Sequence, residues 1–135
     1  MTWSGPAKIK TYEEDDTWVS SLLYNFDVGS AWLKAQHRSW LEKLVAQFDG
    51  QSLKVGFWGY ASRSGALEWN QQLAYQRVRA VGWYLHYKGV PYEKFTLVAS
   101  SVEPTGGDPN DEEWRSVHLI ATTLAYDFSP GLSGE

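Results

Sequence analysis

Apolar residues recur along the chain with two different periods, and these periods predict where strands and helices form. Val55, Phe57 and Tyr60 favour a short extended segment, which a polar, Gly-bearing turn follows. A helix of about 20 residues comes next, because apolar residues then recur at the i, i+4 and i+7 spacing of one buried stripe. That stripe consists of Leu73, Ala74, Val78, Val81 and Leu85. Gly89 predicts the end of the helix, with Pro91 just beyond it.

The remaining elements follow from the same kinds of pattern. Residues 18–26 predict a first strand, and residues 31–48 predict a helix with Ser30 as its N-cap. Two further strands are predicted over 95–100 and 114–123. The order β-α-β-α-β-β predicts an α+β fold with two right-handed crossovers. Both main helices are expected to pack on one face of a small mixed sheet of about four strands.

This interpretation gives one domain over residues 17–124, flanked by two segments without periodicity. Residues 1–16 carry Gly, Pro and an acidic run, and they are expected to form a flexible arm. Residues 125–135 are rich in Pro, Gly and Ser, and they are expected to form a flexible tail. A chain of 135 residues is long enough to bury a core of its own.

Composition and motifs argue against several classes of function. The net charge is −4 and no basic stripe occurs, so nucleic acid is not an expected partner. His37, His86 and His118 lack metal-ligand spacing and there is no Cys, so no metal or other cofactor is expected. The chain has no Gly-x-Ser-x-Gly elbow, phosphate loop or dinucleotide fingerprint, and we expect no enzymatic activity. No segment reaches transmembrane length, and residues 1–6 lack the pattern of a signal peptide.

The chain contains eight Trp residues, a large number for its length. Trp18, Trp40 and Trp83 are expected in the core or at its margin, since large aromatics are often partly buried without a direct role in function. The alternative is an exposed aromatic surface for sugars or a partner protein. The candidates for that surface are Trp58, Trp69 and Trp114.

Three stretches together carry a family resemblance. The central one has Gly59, Tyr60, Ala61, Ser62, Gly65, Asn70, Leu73, Arg77, Val81, Leu85, Gly89 and Val90 at characteristic spacings. Residues 25–34 match an opening strand that leads into a helix, and residues 112–119 match a closing strand. In this order the stretches resemble the OmpA-like domain, the peptidoglycan-associating module of outer-membrane, lipoprotein and flagellar-stator proteins. The resemblance covers residues 18–123 and implies that domain's fold.

The resemblance implies a non-catalytic module that binds the diaminopimelate-type peptide of peptidoglycan, in the periplasm or cell envelope. In peptidoglycan-binding members an Asp at the position of Ser62 accepts from the ligand's ammonium, and the helix Arg, here Arg77, donates a planar fork to its carboxylate. Ser62 is uncharged, and the lost hydrogen bond of about 1.5–3 kcal/mol is expected to weaken the contact. The expected ligand-binding residues are Arg77, Ser62, Asn70, Asp27 and Arg115.

Two alternatives remain open on sequence alone. Arg77 either contacts a ligand, or it forms a salt bridge to Asp27 or Glu103, or it is a solvated helix position. The domain either binds wall peptide, or it is a degenerate OmpA-like fold whose Trp- and Tyr-rich surface binds another protein. In the second class it would serve as an adaptor or as cargo of an envelope or secretion machine.

Overall fold

The computed structural model describes residues 3–49, 51–61, 67–100 and 112–128. Within these ranges the chain forms five strands and two α-helices, with one 3₁₀ turn before the fourth strand and another before the fifth. In chain order the elements are β1 (Lys8–Glu14), β2 (Trp18–Tyr24), α1 (Ala35–Gln47), β3 (Lys54–Tyr60), α2 (Leu67–Tyr87), β4 (Phe95–Ser100) and β5 (Ser116–Thr122).

The strands form one mixed sheet in the order β1-β2-β5-β3-β4. β3 and β4 run parallel, whereas the other neighbouring pairs are antiparallel. Ser21 of β2 and Phe57 of β3 both lie opposite Leu119 of β5, so these side chains share one face of the sheet. The predicted α+β class is confirmed, with both helices packed on that face.

A large hydrophobic core joins the two helices to the sheet, and a smaller cluster of Ala61, Leu73 and Ala74 lies beside the end of β3. As the apolar stripe predicted, α2 packs with α1 and the central strand, and the shared cluster includes Leu44, Val55, Phe57, Val78, Val81 and Leu85. The helix comes closest to β3 at Gly59, where a Cβ would clash with the carbonyl oxygen of Ala74 and lie 2.7 Å from Cγ2 of Val78. Gly59 therefore permits the short distance between α2 and β3 near the end of that strand.

Strand β1 corrects the expectation that residues 1–16 form an arm outside the sheet. It pairs with β2 at the sheet edge, which gives five strands where about four were expected. An edge strand is hard to detect from sequence because it exposes most of its side chains and often carries charges. Here Lys8 and Lys10 form ion pairs of 2.9 Å with Glu112 and Glu113, which lie far along the chain.

The expected tail over residues 125–135 also begins inside the folded domain. Phe128 is 4% exposed and covers the sheet face away from the helices. It packs on Gly56, where a Cβ would come within 2.8 Å of the Phe128 ring, and lies edge-on to Trp58. Residues 129–135 are outside the residues that the structure describes, so the expectation of a flexible tail stands untested there.

Helix α1 begins at Ala35, later than predicted, with Lys34 rather than Ser30 at the N-cap position. Ser30 instead accepts a hydrogen bond of 3.1 Å at Oγ from the N–H of Trp32, which stabilises a turn ahead of the helix. The N–H of Lys34 donates to Nδ1 of His37 at 3.1 Å. His37 thereby satisfies a backbone donor at the start of the helix.

Candidate functional site

The candidate site is the turn of residues 25–30 after β2, where Arg77 of α2 is completely buried. The guanidinium of Arg77 donates to three main-chain carbonyl oxygens. Nε donates to Ser30 at 2.8 Å, Nη1 to Tyr60 at 3.1 Å and Nη2 to Asp27 at 3.2 Å. Arg77 therefore ties the turn to the end of β3.

This arrangement corrects two of the alternatives for Arg77. The residue is not solvated, and it bonds to the carbonyl oxygen of Asp27 rather than to its carboxylate. Glu103 lies outside the residues that the structure describes. Burial lowers the pKa of Arg77 to about 9, and the positive charge of Arg115 contributes to the same shift. The three acceptors are neutral main-chain carbonyls, so they satisfy the guanidinium without neutralising its charge.

Arg115 holds the same turn from the β5 side. Its Nε donates to the carbonyl oxygen of Phe26 at 2.6 Å, and its Nη2 donates to Oδ1 of Asn25 at 2.7 Å. Asn25 has a φ of 61°, a left-handed conformation that Asn adopts more readily than most residues. The two arginines thus fix the backbone of the turn by charge-assisted hydrogen bonds from opposite sides.

Asp27 presents the carboxylate of this turn. Lys34 donates to Oδ1 of Asp27 at 2.8 Å, and the N–H of Ser4 donates to the same oxygen at 2.8 Å. Burial opposes ionisation of Asp27, but the hydrogen bonds from Lys34 and Ser4 outweigh it and lower the pKa of the carboxyl. Asp27 is therefore ionised at neutral pH and already has partners in this structure.

Phe26 and His37 form the inner support of the turn. The Phe26 ring stacks on the His37 ring with centroids 4.4 Å apart, and the Arg77 guanidinium lies 5.4 Å from the Phe26 centroid. His37 is 0% exposed, and its Nε2 is 3.0 Å from the carbonyl oxygen of Tyr24. Because Nδ1 accepts from Lys34, Nε2 carries the proton and donates to Tyr24. Burial lowers the pKa of His37 to about 4, so the imidazole is neutral at pH 7.

The structure brings three of the five predicted binding residues, Arg77, Asp27 and Arg115, around one turn. Asn70 lies on α2 and is 4% exposed, so it is inside the protein. Ser62 lies outside the residues that the structure describes, and its role stays a prediction.

Sequence reasoning missed two further residues of the site, Asn25 and Lys34. The signal in each case is weak: Asn25 is a polar residue between a strand and a turn, and Lys34 is a single basic residue ahead of an apolar helix. Each has a partner on a segment that no local pattern connects to it, because Asn25 bonds to Arg115 and Lys34 bonds to Gly5.

An aromatic groove with a volume of about 610 Å³ lies beside α2. Its polar and aromatic lining includes Trp32, Tyr75, Gln76, Arg79, Trp83 and Tyr92. Trp83 is 58% exposed, so the expectation that it lies in the core or at its margin is wrong, and Trp32 is 82% exposed. Among the Trp residues named as surface candidates, Trp69 is exposed, whereas Trp114 is buried.

Two general features of the described residues bear on function. Over residues 3–49, 51–61, 67–100 and 112–128, no helix has both the length and the apolar character to cross a membrane. Over the same ranges, His, Asp and Glu side chains form no group of three that could hold a metal ion.

Comparison with known sequences gives a consistent result. A model described as the OmpA family matches residues 25–114. Outer membrane protein A of Serratia marcescens is 34% identical over 116 residues, which cover 82% of this chain and 32% of that protein. Outer membrane protein A of Shimwellia blattae is 35% identical over 108 residues, which cover 77% of this chain and 44% of that protein. The chain thus spans less than half the length of these two relatives.

Solved structures share the fold at low sequence identity. The OmpA-like domain of FopA1 from Francisella tularensis matches with a TM-score of 0.66 and 21% identity, over 88% of this chain and 82% of that one. The peptidoglycan-associated lipoprotein from Burkholderia pseudomallei matches with a TM-score of 0.65 and 22% identity, over 75% of this chain and 89% of that one. The cell wall anchor of the T6SS from Pseudomonas aeruginosa matches with a TM-score of 0.66 and 13% identity, over 86% of this chain and 88% of that one.

Proposed function

Because this chain belongs to the OmpA family, we propose that it is a non-catalytic module that binds peptidoglycan peptide at the turn of residues 25–30. The observation that carries the proposal is Arg77, a buried guanidinium bonded to neutral carbonyls and repelled by Arg115. The names of two proteins with similar folds, a peptidoglycan-associated lipoprotein and a cell wall anchor, support the same direction. The proposal places the protein in the periplasm or cell envelope and requires no cofactor.

The chemistry of binding would be an exchange of acceptors at Arg77. Its longest hydrogen bond, 3.2 Å from Nη2 to the carbonyl oxygen of Asp27, would give way to the carboxylate of diaminopimelate. A charged acceptor bonds to a guanidinium more strongly than a neutral carbonyl does. The ammonium of the ligand would use the Asp27 carboxylate, which Lys34 and Ser4 now occupy, with Ser62 and Asn70 as further polar contacts.

The test of this proposal is a gain of binding at position 62. In a sacculus pull-down, Ser62→Asp is expected to bind about tenfold or more tightly than wild type, because it restores a charged hydrogen bond to the ammonium. Ser64→Asp adds the same charge two residues away and is the control. If neither wild type nor Ser62→Asp binds sacculi, the family's ligand does not belong to this protein. Equal gains in both variants would show a general effect of charge.

A loss of sacculus binding in Arg77→Ala would be less informative than a gain of binding in Ser62→Asp. Arg77 holds three carbonyl oxygens of the fold, so its removal disturbs the turn whether or not a ligand contacts it. The gain at position 62 leaves those bonds in place.

The aromatic groove favours a second candidate function, the binding of a partner protein. Trp, Tyr and Arg are enriched at the energetic centres of protein interfaces, and the groove presents Trp32, Trp83 and Arg79 together. In this function the partner would insert apolar side chains between the exposed rings. The domain would then act as an adaptor or as cargo of an envelope or secretion machine.

Site-specific photo-crosslinking in cells distinguishes this second function. A photo-reactive phenylalanine replaces Trp83, which lines the groove and is 58% exposed, or Trp69, which lies on the same helix and is 54% exposed. We expect one defined adduct from position 83 and none from position 69. The adduct from position 83 should be lost when Trp32→Ala is added. Equal adducts at both positions would contradict a role for the groove.

A further inference from the structure

Residues 3–7 lie across the candidate site and are held there by side chains of the turn and of α1. Asn25 donates from Nδ2 to the carbonyl oxygens of Ser4 and Pro6, at 3.0 and 2.9 Å. The carboxylate of Asp27 accepts from the N–H of Ser4 at 2.8 Å. The surface that holds this segment therefore overlaps the site at which wall peptide was expected.

Helix α1 supplies the other side of the contact. Lys34 donates from Nζ to the carbonyl oxygen of Gly5 at 2.6 Å, and its ammonium lies 5.7 Å from the ring centroid of Trp3. Oε1 of Gln36 accepts from the N–H of Ala7 at 3.0 Å. Ala7 is 6% exposed, so this end of the segment is buried.

All of these hydrogen bonds go to main-chain groups of the segment, and its central residues, Ser4 to Ala7, have small side chains. Recognition of this kind selects a peptide by its backbone path rather than by its side chains. The path is unusual at Gly5, where φ is +96°. An L-residue is strained in that conformation, whereas glycine and a D-residue adopt it freely.

We propose that Asn25, Asp27, Lys34 and Gln36 form a peptide-binding cleft for a short peptide with glycine or a D-residue at its centre. Residues 3–7 occupy this cleft in cis, and a peptidoglycan stem peptide competes for it, because its diaminopimelate ammonium would use the same Asp27 carboxylate that now accepts from Ser4. The identity of the competitor rests on the proposed function. The existence of the cleft does not.

The cleft is tested first with synthetic peptides. A variant that lacks residues 1–6 keeps Ala7 and all of β1, and circular dichroism establishes that it folds. Calorimetric titration with the amide of Thr-Trp-Ser-Gly-Pro, which corresponds to residues 2–6, should show binding. The peptide with D-Ala in place of Gly should bind at least as well, and the peptide with L-Ala about fivefold to thirtyfold more weakly. No binding, or equal binding of the D-Ala and L-Ala peptides, overturns the cleft.

Competition is tested in the full chain, which avoids reliance on the truncated form. Gly5→Val strains the occupying segment, and among the residues that the structure describes its Cβ lies within 4 Å of Asn25 alone, at 3.9 Å. Gly89→Val is the control, since Gly89 also has a positive φ, +112°, and no atom of the described part of the chain lies within 4 Å of a Cβ there. Gly5→Val should bind the tripeptide L-alanyl-γ-D-glutamyl-diaminopimelate more tightly than wild type, and Gly89→Val should match wild type.

The two titrations separate this inference from the proposed function. Equal tripeptide affinity in wild type and Gly5→Val shows that residues 3–7 do not compete, which overturns the cis occupancy. Binding of the synthetic peptide to the truncated chain, without binding of the tripeptide to any form, retains the cleft and overturns the wall ligand.

Discussion

Arg77 is a structural part of the fold, and it is also the charge on which the proposed binding of wall peptide depends. Its three hydrogen bonds join Ser30, Tyr60 and Asp27, which local sequence does not connect. Arg77→Lys keeps the charge but loses the planar fork, so at least one buried carbonyl is left without a donor. We expect this to lower the free energy of unfolding by about 2–4 kcal/mol.

Denaturant unfolding measures this change, and Arg79→Lys on the same helix is the matched control. Arg79 is exposed, and its replacement is expected to change the free energy of unfolding by less than about 0.5 kcal/mol. Equal losses in the two variants would contradict the structural role assigned to Arg77.

His37 predicts a dependence of stability on pH. Its pKa is about 4 in the folded protein against an ordinary value of 6.5, so between these values the unfolded chain binds the proton more readily. The stability contributed by neutral His37 is complete above pH 6.5 and is lost as pH falls towards 4, by up to about 3 kcal/mol. Burial lowers the pKa of His118 as well, so protonation of His118 also reduces the stability of the fold as pH falls.

Urea unfolding at a series of pH values between 4.5 and 7 tests this prediction. His37→Gln should reduce the pH dependence of the unfolding free energy and leave the part that His118 contributes, whatever the stability of the variant at neutral pH. His86→Gln, at an exposed position, should keep the wild-type slope. A slope that persists unchanged in His37→Gln would show that His37 is not the group that titrates.

At the scale of elements, Gly59 of β3 and Gly82 of α2 lie where the helix contacts the sheet. Adding a Cβ is expected to have opposite effects on stability at the two positions. A Cβ at Gly59 would clash with the Ala74 carbonyl, so Gly59→Ala is expected to destabilise the protein by about 1–3 kcal/mol. A Cβ at Gly82 would meet Phe95 and Phe57 at 3.8 and 3.9 Å, which is ordinary contact. Gly82→Ala should therefore stabilise the helix by up to about 1 kcal/mol, and thermal unfolding of both variants checks the two signs.

The same elements show what local sequence can predict. α2 and the central strands were predictable because each buries a stripe or face whose period is visible in the sequence, as at Val78, Val81 and Leu85. β1 was not, because its place in the sheet depends on pairing with β2 and on ion pairs to Glu112 and Glu113. The start of α1 was misplaced because Ser30, a good N-cap by type, bonds to Trp32 in a separate turn.

At the scale of the whole molecule, motif positions predicted that Arg77 and Asp27 lie at one edge, and Nη2 of Arg77 does donate to the carbonyl oxygen of Asp27. Sequence did not show that residues 3–7 lie on that edge, because the contacts join Ser4 to Asp27 and Gly5 to Lys34 across the fold. The acceptors of Arg77 were likewise unpredictable, since main-chain carbonyls carry no sequence signal.

The central claim is that wall peptide binds at the turn of residues 25–30. The most direct test is a titration of the ¹⁵N-labelled protein with L-alanyl-γ-D-glutamyl-diaminopimelate, followed by heteronuclear NMR. We expect saturable shifts of the Arg77 Nε–H and of the backbone amides of residues 25–30, with the Trp83 indole unchanged. Shifts at Trp83 with a silent turn, or no shifts at millimolar peptide, would contradict this claim.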